Sequence, residues 1–138
     1  MHMRTLIAVV AAVLLLAACT KQAGEGGAGR VHGRVVKEIR LVMSNPGTVV
    51  ASYAAPDEEV WIQYGESLSP DDRVHTNYDG EFEFEFLRRG EYTVYVYSED
   101  TTGAQNVSPD RMAIKRTFTI DGRKDAIDLG DITIYERP

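Results

Sequence analysis

The sequence contains few of the residues and motifs on which small catalytic or exported proteins commonly depend. It has one cysteine, Cys19, among 138 residues, so the chain can form no internal disulfide and no thiolate metal site. His32 and His75 lack the neighbouring ligand spacing of a zinc site. There is no glycine-rich phosphate loop and no Gly-x-Ser-x-Gly elbow. These absences argue against an enzyme and against a bound cofactor or metal.

Basic side chains are also scarce relative to acidic ones. The whole chain has a net charge of −6. Residues 1–18 contain one basic side chain, Arg4, and no acidic one. Without them the chain has 14 basic and 21 acidic side chains, a net charge of −7. Nucleic-acid binding depends on neutralisation of phosphates by Lys and Arg, and adhesion to anionic lipid depends on the same charges. The overall charge therefore disfavours both kinds of partner.

The longest apolar run lies near the N-terminus, between Thr5 and Ala18, directly after Arg4. At about 14 residues it is shorter than the roughly 20 that a membrane-spanning helix needs, but it has the length of the apolar core of a signal peptide. The run ends in Leu16-Ala17-Ala18-Cys19. This ending resembles the bacterial lipobox, in which a leucine and two small residues precede a lipidated cysteine. The resemblance implies cleavage after residue 18 and a lipoprotein that carries diacylglyceryl and palmitate groups on Cys19.

Residues 19–30 separate this cysteine from the patterned part of the chain. Four of the ten residues from Thr20 to Gly29 are glycine, and none is large and apolar, which predicts a flexible tether. In enterobacterial lipoproteins an aspartate in place of Thr20 retains the protein in the inner membrane, so Thr20 favours the outer membrane by resemblance, with the domain facing the periplasm or the cell surface. The predicted parts are a signal peptide at 1–18, the lipidated cysteine and tether at 19–30, and one domain at 31–138.

The domain from residue 31 onward has the period of β-strands rather than of helices. About seven short alternating segments, separated by turn residues, predict an all-β sandwich. Segment 65–72 is polar and predicts a loop, and Gly130-Asp131 needs to form a β-bulge if the last strand is to keep its alternation. The clearest strand alternates three phenylalanines with three glutamates, which predicts one buried face and one acidic face; these residues are Phe82, Phe84, Phe86, Glu81, Glu83 and Glu85.

The hairpin that contains this strand carries a family resemblance. Its pattern of turn glycines and apolar positions is formed by Gly80, Phe82, Phe84, Leu87, Gly90, Tyr92, Val94 and Val96. This pattern resembles the carboxypeptidase regulatory-like domain, which is related to Cna-B repeats, and the similarity extends over about residues 31–136. It implies a seven-stranded Greek-key β-sandwich of the transthyretin or prealbumin type.

The same resemblance raises the question of an isopeptide bond. Cna-B relatives can link a lysine to an asparagine or aspartate with the help of a buried glutamate, and Lys37 with Asp128 or Asp131 could supply the two partners. The position commonly held by that glutamate is Val96 in this chain. We therefore do not expect the bond to form.

The remaining candidate residues point to binding rather than catalysis. Trp61, Tyr95 and Tyr97, if they all face outward, form an aromatic surface for a sugar or a protein; otherwise they cover neighbouring aliphatic side chains. Clustered acidic residues offer oxygen ligands of the kind that calcium takes, but their spacing is not that of an EF-hand, and a solvated acidic loop is preferred. These acidic residues are Asp71, Asp72, Asp79 and Glu81.

The sequence as a whole favours a non-enzymatic module that is attached to a membrane through Cys19 and binds a protein or glycan of the cell envelope. One alternative is a structural component of an envelope or secretion assembly, since type VI secretion lipoproteins also use a transthyretin-like fold. The other alternative is a carbohydrate-binding module. No nucleic acid, metal or cofactor is expected.

Overall fold

The structure is a computed structural model that describes residues 22–41, 48–99 and 111–138. The predicted signal peptide, Cys19 and a predicted turn at Asn45-Pro46-Gly47 lie outside these ranges. Within them no helix is long and apolar enough to cross a membrane. The described strands are β1 (Glu25–Leu41), β2 (Thr48–Ala54), β3 (Glu59–Tyr64), β4 (Asp72–His75), β5 (Glu81–Leu87), β6 (Gly90–Glu99), β7 (Arg111–Ile120) and β8 (Ala126–Glu136).

The strands form two four-stranded sheets around one apolar core. In sheet A, β1 is the central strand: β8 pairs with it in parallel along one edge, and β5 and β2 pair with it antiparallel along the other. Sheet B has the order β4-β3-β6-β7 with every pair antiparallel. The predicted all-β sandwich is thus confirmed, with eight described strands rather than seven. The additional strand is β4, whose four residues include only one large apolar side chain, Val74, and so carry almost no sequence signal.

Strand β5 departs from the predicted alternation at its end. Phe82 and Phe84 are buried, but Phe86 is 67% exposed while Leu87 is buried. The backbone of Phe86 has a φ of 60°, a left-handed conformation that is rare for a bulky residue. This conformation shifts the alternation by one residue, so Leu87 takes the inward position. The prediction that Phe86 lies on the buried face is therefore wrong.

The predicted bulge in β8 is confirmed. The register between β1 and β8 shifts between His32 and Arg34, which pair with Asp128 and Asp131 respectively. Gly130, which lies between those two aspartates, has a φ of 66°. The extra residue restores the alternation, and the isoleucines that follow it, Ile132 and Ile134, are buried.

The glycine-rich segment before residue 31 is folded where the structure describes it. Strand β1 begins at Glu25, and Glu25 and Gly29 pair with Leu87 of β5. A Cβ atom at Gly27 would collide with the carbonyl group of Leu87, so glycine here permits two backbones to approach closely. The prediction of a flexible tether is therefore wrong for residues 25–30.

The hydroxyl of Tyr92 fastens this segment to the end of sheet B. It accepts a hydrogen bond from the backbone N–H of Gly24 at 2.9 Å, and it can donate to the carbonyl oxygen of Arg88 at 2.6 Å or of Gly24 at 3.0 Å. Burial raises the pKa of Tyr92, so the phenol keeps the proton that it donates. Below the hydroxyl, the ring of Tyr92 stacks on Phe118 with the centroids 5.3 Å apart. The N-terminal segment is thus held at Gly24 by a buried polar contact.

Replacement of Tyr92 by phenylalanine is expected to lower the free energy of unfolding by about 1–3 kcal/mol, because the buried N–H of Gly24 loses its acceptor. Urea denaturation of the folded chain measures the change. Tyr64→Phe is the matched control, since the Tyr64 hydroxyl makes only an exposed 3.3 Å bond to Glu25, and we expect a loss below about 0.5 kcal/mol. Equal losses in the two variants would contradict this role for Tyr92.

Candidate ligand-binding face of sheet B

The outward face of sheet B carries a row of side chains that crosses all four strands. Trp61 of β3 pairs with Arg73 of β4 on one side and with Tyr95 of β6 on the other. Tyr95 in turn pairs with Lys115 of β7. Because residues directly opposite each other in a sheet project to the same side, the row runs cation, indole, phenol, cation. The structure thus brings Trp61 and Tyr95 together on one face.

Tyr97 extends this aromatic cluster along β6. The ring centroids of Tyr95 and Tyr97 are 5.6 Å apart, with an angle of 85° between the ring planes. Tyr95 is 6% exposed, whereas Tyr97 is 37% exposed. The guanidinium groups of Arg73 and Arg111 lie 5.2 Å and 5.3 Å from the ring centroids of Trp61 and Tyr97, within cation–π range. Tyr95 therefore forms the floor of the cluster, and Tyr97 offers its accessible ring.

The polar atoms of the cluster are arranged asymmetrically. Trp61 is partly buried, and its indole nitrogen is buried without a hydrogen-bond partner among the described residues. The part of the Trp61 side chain that meets solvent is therefore carbon. Burial raises the pKa of Tyr95, and the neighbouring hydroxyl of Tyr97 adds to the effect. Tyr95 consequently stays protonated and can donate a hydrogen bond at the base of the cluster.

Side chains that can bond to hydroxyl groups border the row on both sides. Gln63 pairs with Thr93, and Thr93 pairs with Thr117, whose Oγ1 atom is 3.4 Å from that of Thr93. On the opposite border, Glu59 accepts a 2.8 Å hydrogen bond from Arg73. The face thus combines ring carbon at its centre with donors and acceptors at its margins.

The outward face of sheet A offers a different kind of surface, a cleft of about 720 Å³ with a mostly charged lining. Both of its arginines are already paired with carboxylates, Arg30 with Glu83 at 3.8 Å and Arg34 with Asp131 at 2.8 Å. The hydrogen bond from Arg34 lowers the pKa of Asp131, so this carboxylate stays ionised. A charged ligand would have to displace both arginine pairs. On the face of sheet B only Arg73 is paired, with Glu59, and neither Lys115 nor Arg111 forms an ion pair with a carboxylate of the described residues.

Lys37 does not approach either aspartate that the resemblance offered as an isopeptide partner. Its Nζ atom lies 3.3 Å from Glu58 and 3.2 Å from Glu136. Partial burial lowers the pKa of Lys37, but the two carboxylates more than offset it, so the pKa is raised overall. Lys37 is therefore a charged partner of two glutamates, while Asp131 bonds to Arg34.

The acidic residues considered as calcium ligands do not converge. Asp71 and Asp72 stand at the start of β4, whereas Asp79 and Glu81 follow its other end. Asp71 accepts a 2.7 Å hydrogen bond from the backbone N–H of Tyr64, which is a turn-stabilising contact. Across the three described ranges, no group of three or more His, Cys, Asp or Glu side chains is arranged to hold a metal ion.

No protein-family model matches the chain, and no curated protein sequence matches it either. Among solved structures, it is similar to a Pseudomonas aeruginosa protein whose crystal structure is named as that of a "putative carbohydrate binding protein". The TM-score is 0.50 at 12% sequence identity, and the alignment covers 88% of this chain and 94% of the other. At this identity the similarity shows that the two chains share a fold and nothing further.

Proposed function

We propose that the protein is a non-enzymatic, membrane-anchored lipoprotein whose sandwich binds a glycan on the outward face of sheet B. The choice of a glycan as the ligand rests on one observation. The side chains of Trp61, Tyr95 and Tyr97 form a single aromatic cluster with hydrogen-bonding side chains at its margins. Sugar rings have apolar C–H faces that pack on aromatic carbon and hydroxyl groups that bond to polar side chains. The name of the Pseudomonas aeruginosa protein with this fold supports the same class of ligand.

The anchoring part of the proposal rests on the lipobox-like residues 16–19. Lipid on Cys19 would hold the domain at the outer membrane, facing the periplasm or the cell surface. The hairpin pattern from Gly80 to Val96 supports membership of the carboxypeptidase regulatory-like group, with its Greek-key, transthyretin-like connectivity.

The cations around the cluster favour a glycan that carries carboxylate or phosphate groups. Lys115 stands at the β7 end of the Trp61–Tyr95 row, and Arg111 lies over Tyr97; Arg73, at the other end, is already paired with Glu59. Lys115 and Arg111 are a local concentration of positive charge on a chain with a net charge of −6. Acidic sugars would therefore gain an attraction that neutral sugars lack.

Glycan-array screening followed by calorimetric titration tests the proposal. Tyr97→Ala is expected to weaken binding of the selected glycan by about 10- to 100-fold, the usual cost of removing an aromatic group at the centre of a contact. Tyr78→Ala is the matched control, because Tyr78 is also a tyrosine and is 94% exposed but lies in the turn between β4 and β5. Its affinity should equal that of the wild type.

Two outcomes would contradict the proposal. Equal affinity of Tyr97→Ala and wild type would remove the aromatic cluster from the binding site. Failure of the wild type to bind any acidic or neutral glycan would instead favour the envelope-assembly alternative. In that alternative the contact surface would be β2, an uncharged strand with Val49, Val50 and Tyr53 exposed.

A further inference from the structure

We infer that one end of the sandwich docks on an anionic phospholipid surface and thereby orients the domain. We call this end the anchor-proximal pole; it comprises Gln22, Phe86, Arg88-Arg89 and Arg123. The inference deepens the proposed function, since it rests on the lipid anchor at Cys19. It concerns a local group of arginines, although the overall charge of the chain disfavours anionic lipid.

The position of Gln22 brings this pole to the membrane. Cys19 is three residues before Gln22, and a fully extended chain spans at most about 3.3–3.6 Å per residue, so the two lie within about 11 Å of each other. From Gly24 onward the chain is fixed to the sandwich by the Tyr92 hydroxyl and by the bond from the N–H of Arg88 to the Gly24 carbonyl. The anchored domain therefore has little room to move away from the bilayer.

Three arginines at this pole are free to meet anionic phosphate groups. Arg88 and Arg89 lie between β5 and β6, and Arg123 lies between β7 and β8. All three are exposed and line one shallow cavity together with Gln22. None of them forms an ion pair with a carboxylate of the described residues, whereas three arginines of the outward sheet faces do so, at Arg30–Glu83, Arg34–Asp131 and Arg73–Glu59. Near an anionic bilayer each such cation strengthens attachment by about fivefold.

One exposed apolar side chain projects at the same pole. Phe86 is 67% exposed, and it precedes Leu87, which pairs with Glu25 and lines the arginine cavity. The left-handed backbone that turns Phe86 outward is strained, and such strain commonly marks a functional position. Apolar side chains beside arginines fit the boundary between headgroups and acyl chains.

Acidic side chains determine which side of the pole faces the lipid. Glu66, Glu91 and Asp121 line a second cavity that also includes Gln22 but contains no arginine. Anionic lipid repels these carboxylates, so the arginine side should rest on the bilayer. Strand β6 leads away from the pole, and at about 3.3 Å per residue Tyr97 lies roughly 23 Å from Gly90. Docking at this pole therefore leaves the aromatic cluster clear of the membrane.

The test uses the full lipidated protein in vesicles. A fluorophore is attached to a cysteine introduced as Ala28→Cys, because Ala28 is exposed and lines the arginine cavity; Asp79→Cys, in the turn at the other end of β5, is the distant control. Quenching by lipid with a nitroxide on its headgroup reports proximity to the bilayer. We expect strong quenching at position 28 in vesicles that contain phosphatidylglycerol, and little at position 79 or in pure phosphatidylcholine. Similar quenching at the two positions would overturn the inference.

Substitutions identify the side chains that hold the pole on the bilayer. Arg89→Gln with Arg123→Gln is expected to lower the docked-to-undocked ratio by about 30-fold, the effect of two surface cations. Arg34→Gln with Arg116→Gln removes the same charge from exposed positions of β1 and β7 and should leave the docked-to-undocked ratio unchanged. Phe86→Asn should reduce docking without loss of fold, since asparagine tolerates a positive φ, and Tyr78→Asn is its control. Docking that is unchanged by both the arginine and the Phe86 variants would overturn the inference.

Mass spectrometry of the same samples distinguishes a failure of the lipid anchor from a failure of docking. A mature N-terminus without acyl groups would refute the proposed anchor and, with it, the inference. Acylated protein that shows no preference for phosphatidylglycerol would refute the docking alone.

Discussion

Substitution of Cys19 by serine is expected to abolish fatty-acid incorporation into the protein completely. Cys19 is the only cysteine of the chain, and the diacylglyceryl group forms a thioether only with a thiol. Lipidation stabilises membrane attachment by about 0.8 kcal/mol per buried CH₂, and two or more acyl chains make it durable. No effect of any other single substitution in this chain should be as large.

Metabolic labelling with a fatty acid, followed by mass analysis of the N-terminus, measures this change. Thr20→Ser is the matched control, because it alters the next residue and leaves the thiol in place; it should incorporate label like the wild type. Label in Cys19→Ser at the wild-type level would refute the lipidation hypothesis.

The second large effect is expected at Gly80, where alanine should lower the free energy of unfolding by about 3–5 kcal/mol. Gly80 has a φ of 75°, and a Cβ atom there would lie 2.5 Å from the carbonyl oxygen of Val35. That oxygen cannot move aside without cost, since it accepts a 3.0 Å hydrogen bond from the N–H of Ala55. The N–H of Val35 also donates to the Gly80 carbonyl at 2.8 Å. Alanine would therefore disturb the junction where β1 meets both the start of β5 and the start of the connection between β2 and β3.

Gly130→Ala separates backbone strain from steric collision. Gly130 has a φ of 66°, but a Cβ atom there would have no neighbour within 4 Å, so only the left-handed conformation costs energy, about 1–2 kcal/mol. Urea denaturation of both variants gives the comparison. A loss at Gly80 no greater than that at Gly130 would contradict the packing described for this junction.

Much of the fold could be predicted from period-two alternation, because each buried face of a strand leaves that mark in the sequence. The bulge at Gly130 was predictable for the same reason, since two alternating segments of β8 were out of phase. The reversal at Phe86 and Leu87 was not. Nothing in three alternating phenylalanines shows that the last one adopts a left-handed backbone, which the chain accepts because Leu87 is then buried.

The start of the domain was harder to predict, because a glycine-rich segment has two opposite physical meanings. Glycine increases the freedom of an unpaired chain, but it also lets two backbones approach where any Cβ atom would collide. Gly27 belongs to the second case because of the carbonyl of Leu87. The deciding partner, the hydroxyl of Tyr92, is 68 residues away from Gly24 in sequence, so no local pattern could reveal it.

The candidate site was predictable in its membership but not in its form. Placement of Trp61, Tyr95 and Tyr97 on outward faces follows from alternation, whereas their pairing depends on the order of strands in sheet B. The depth of Tyr95 also depends on neighbours from other strands. What the sequence presented as three equivalent aromatic residues is a buried floor, a partly covered indole and one accessible ring.

A titration of the intact protein with acidic envelope glycan fragments, followed by the fluorescence of Trp61, tests directly whether a glycan binds on the outward face of sheet B. Trp61 is the only tryptophan of the chain, so its emission reports on this face alone. We expect a saturable change in emission that is lost in Tyr97→Ala and kept in Tyr78→Ala. Saturable glycan binding by calorimetry with no change in Trp61 emission would contradict this expectation, because the glycan would then bind elsewhere.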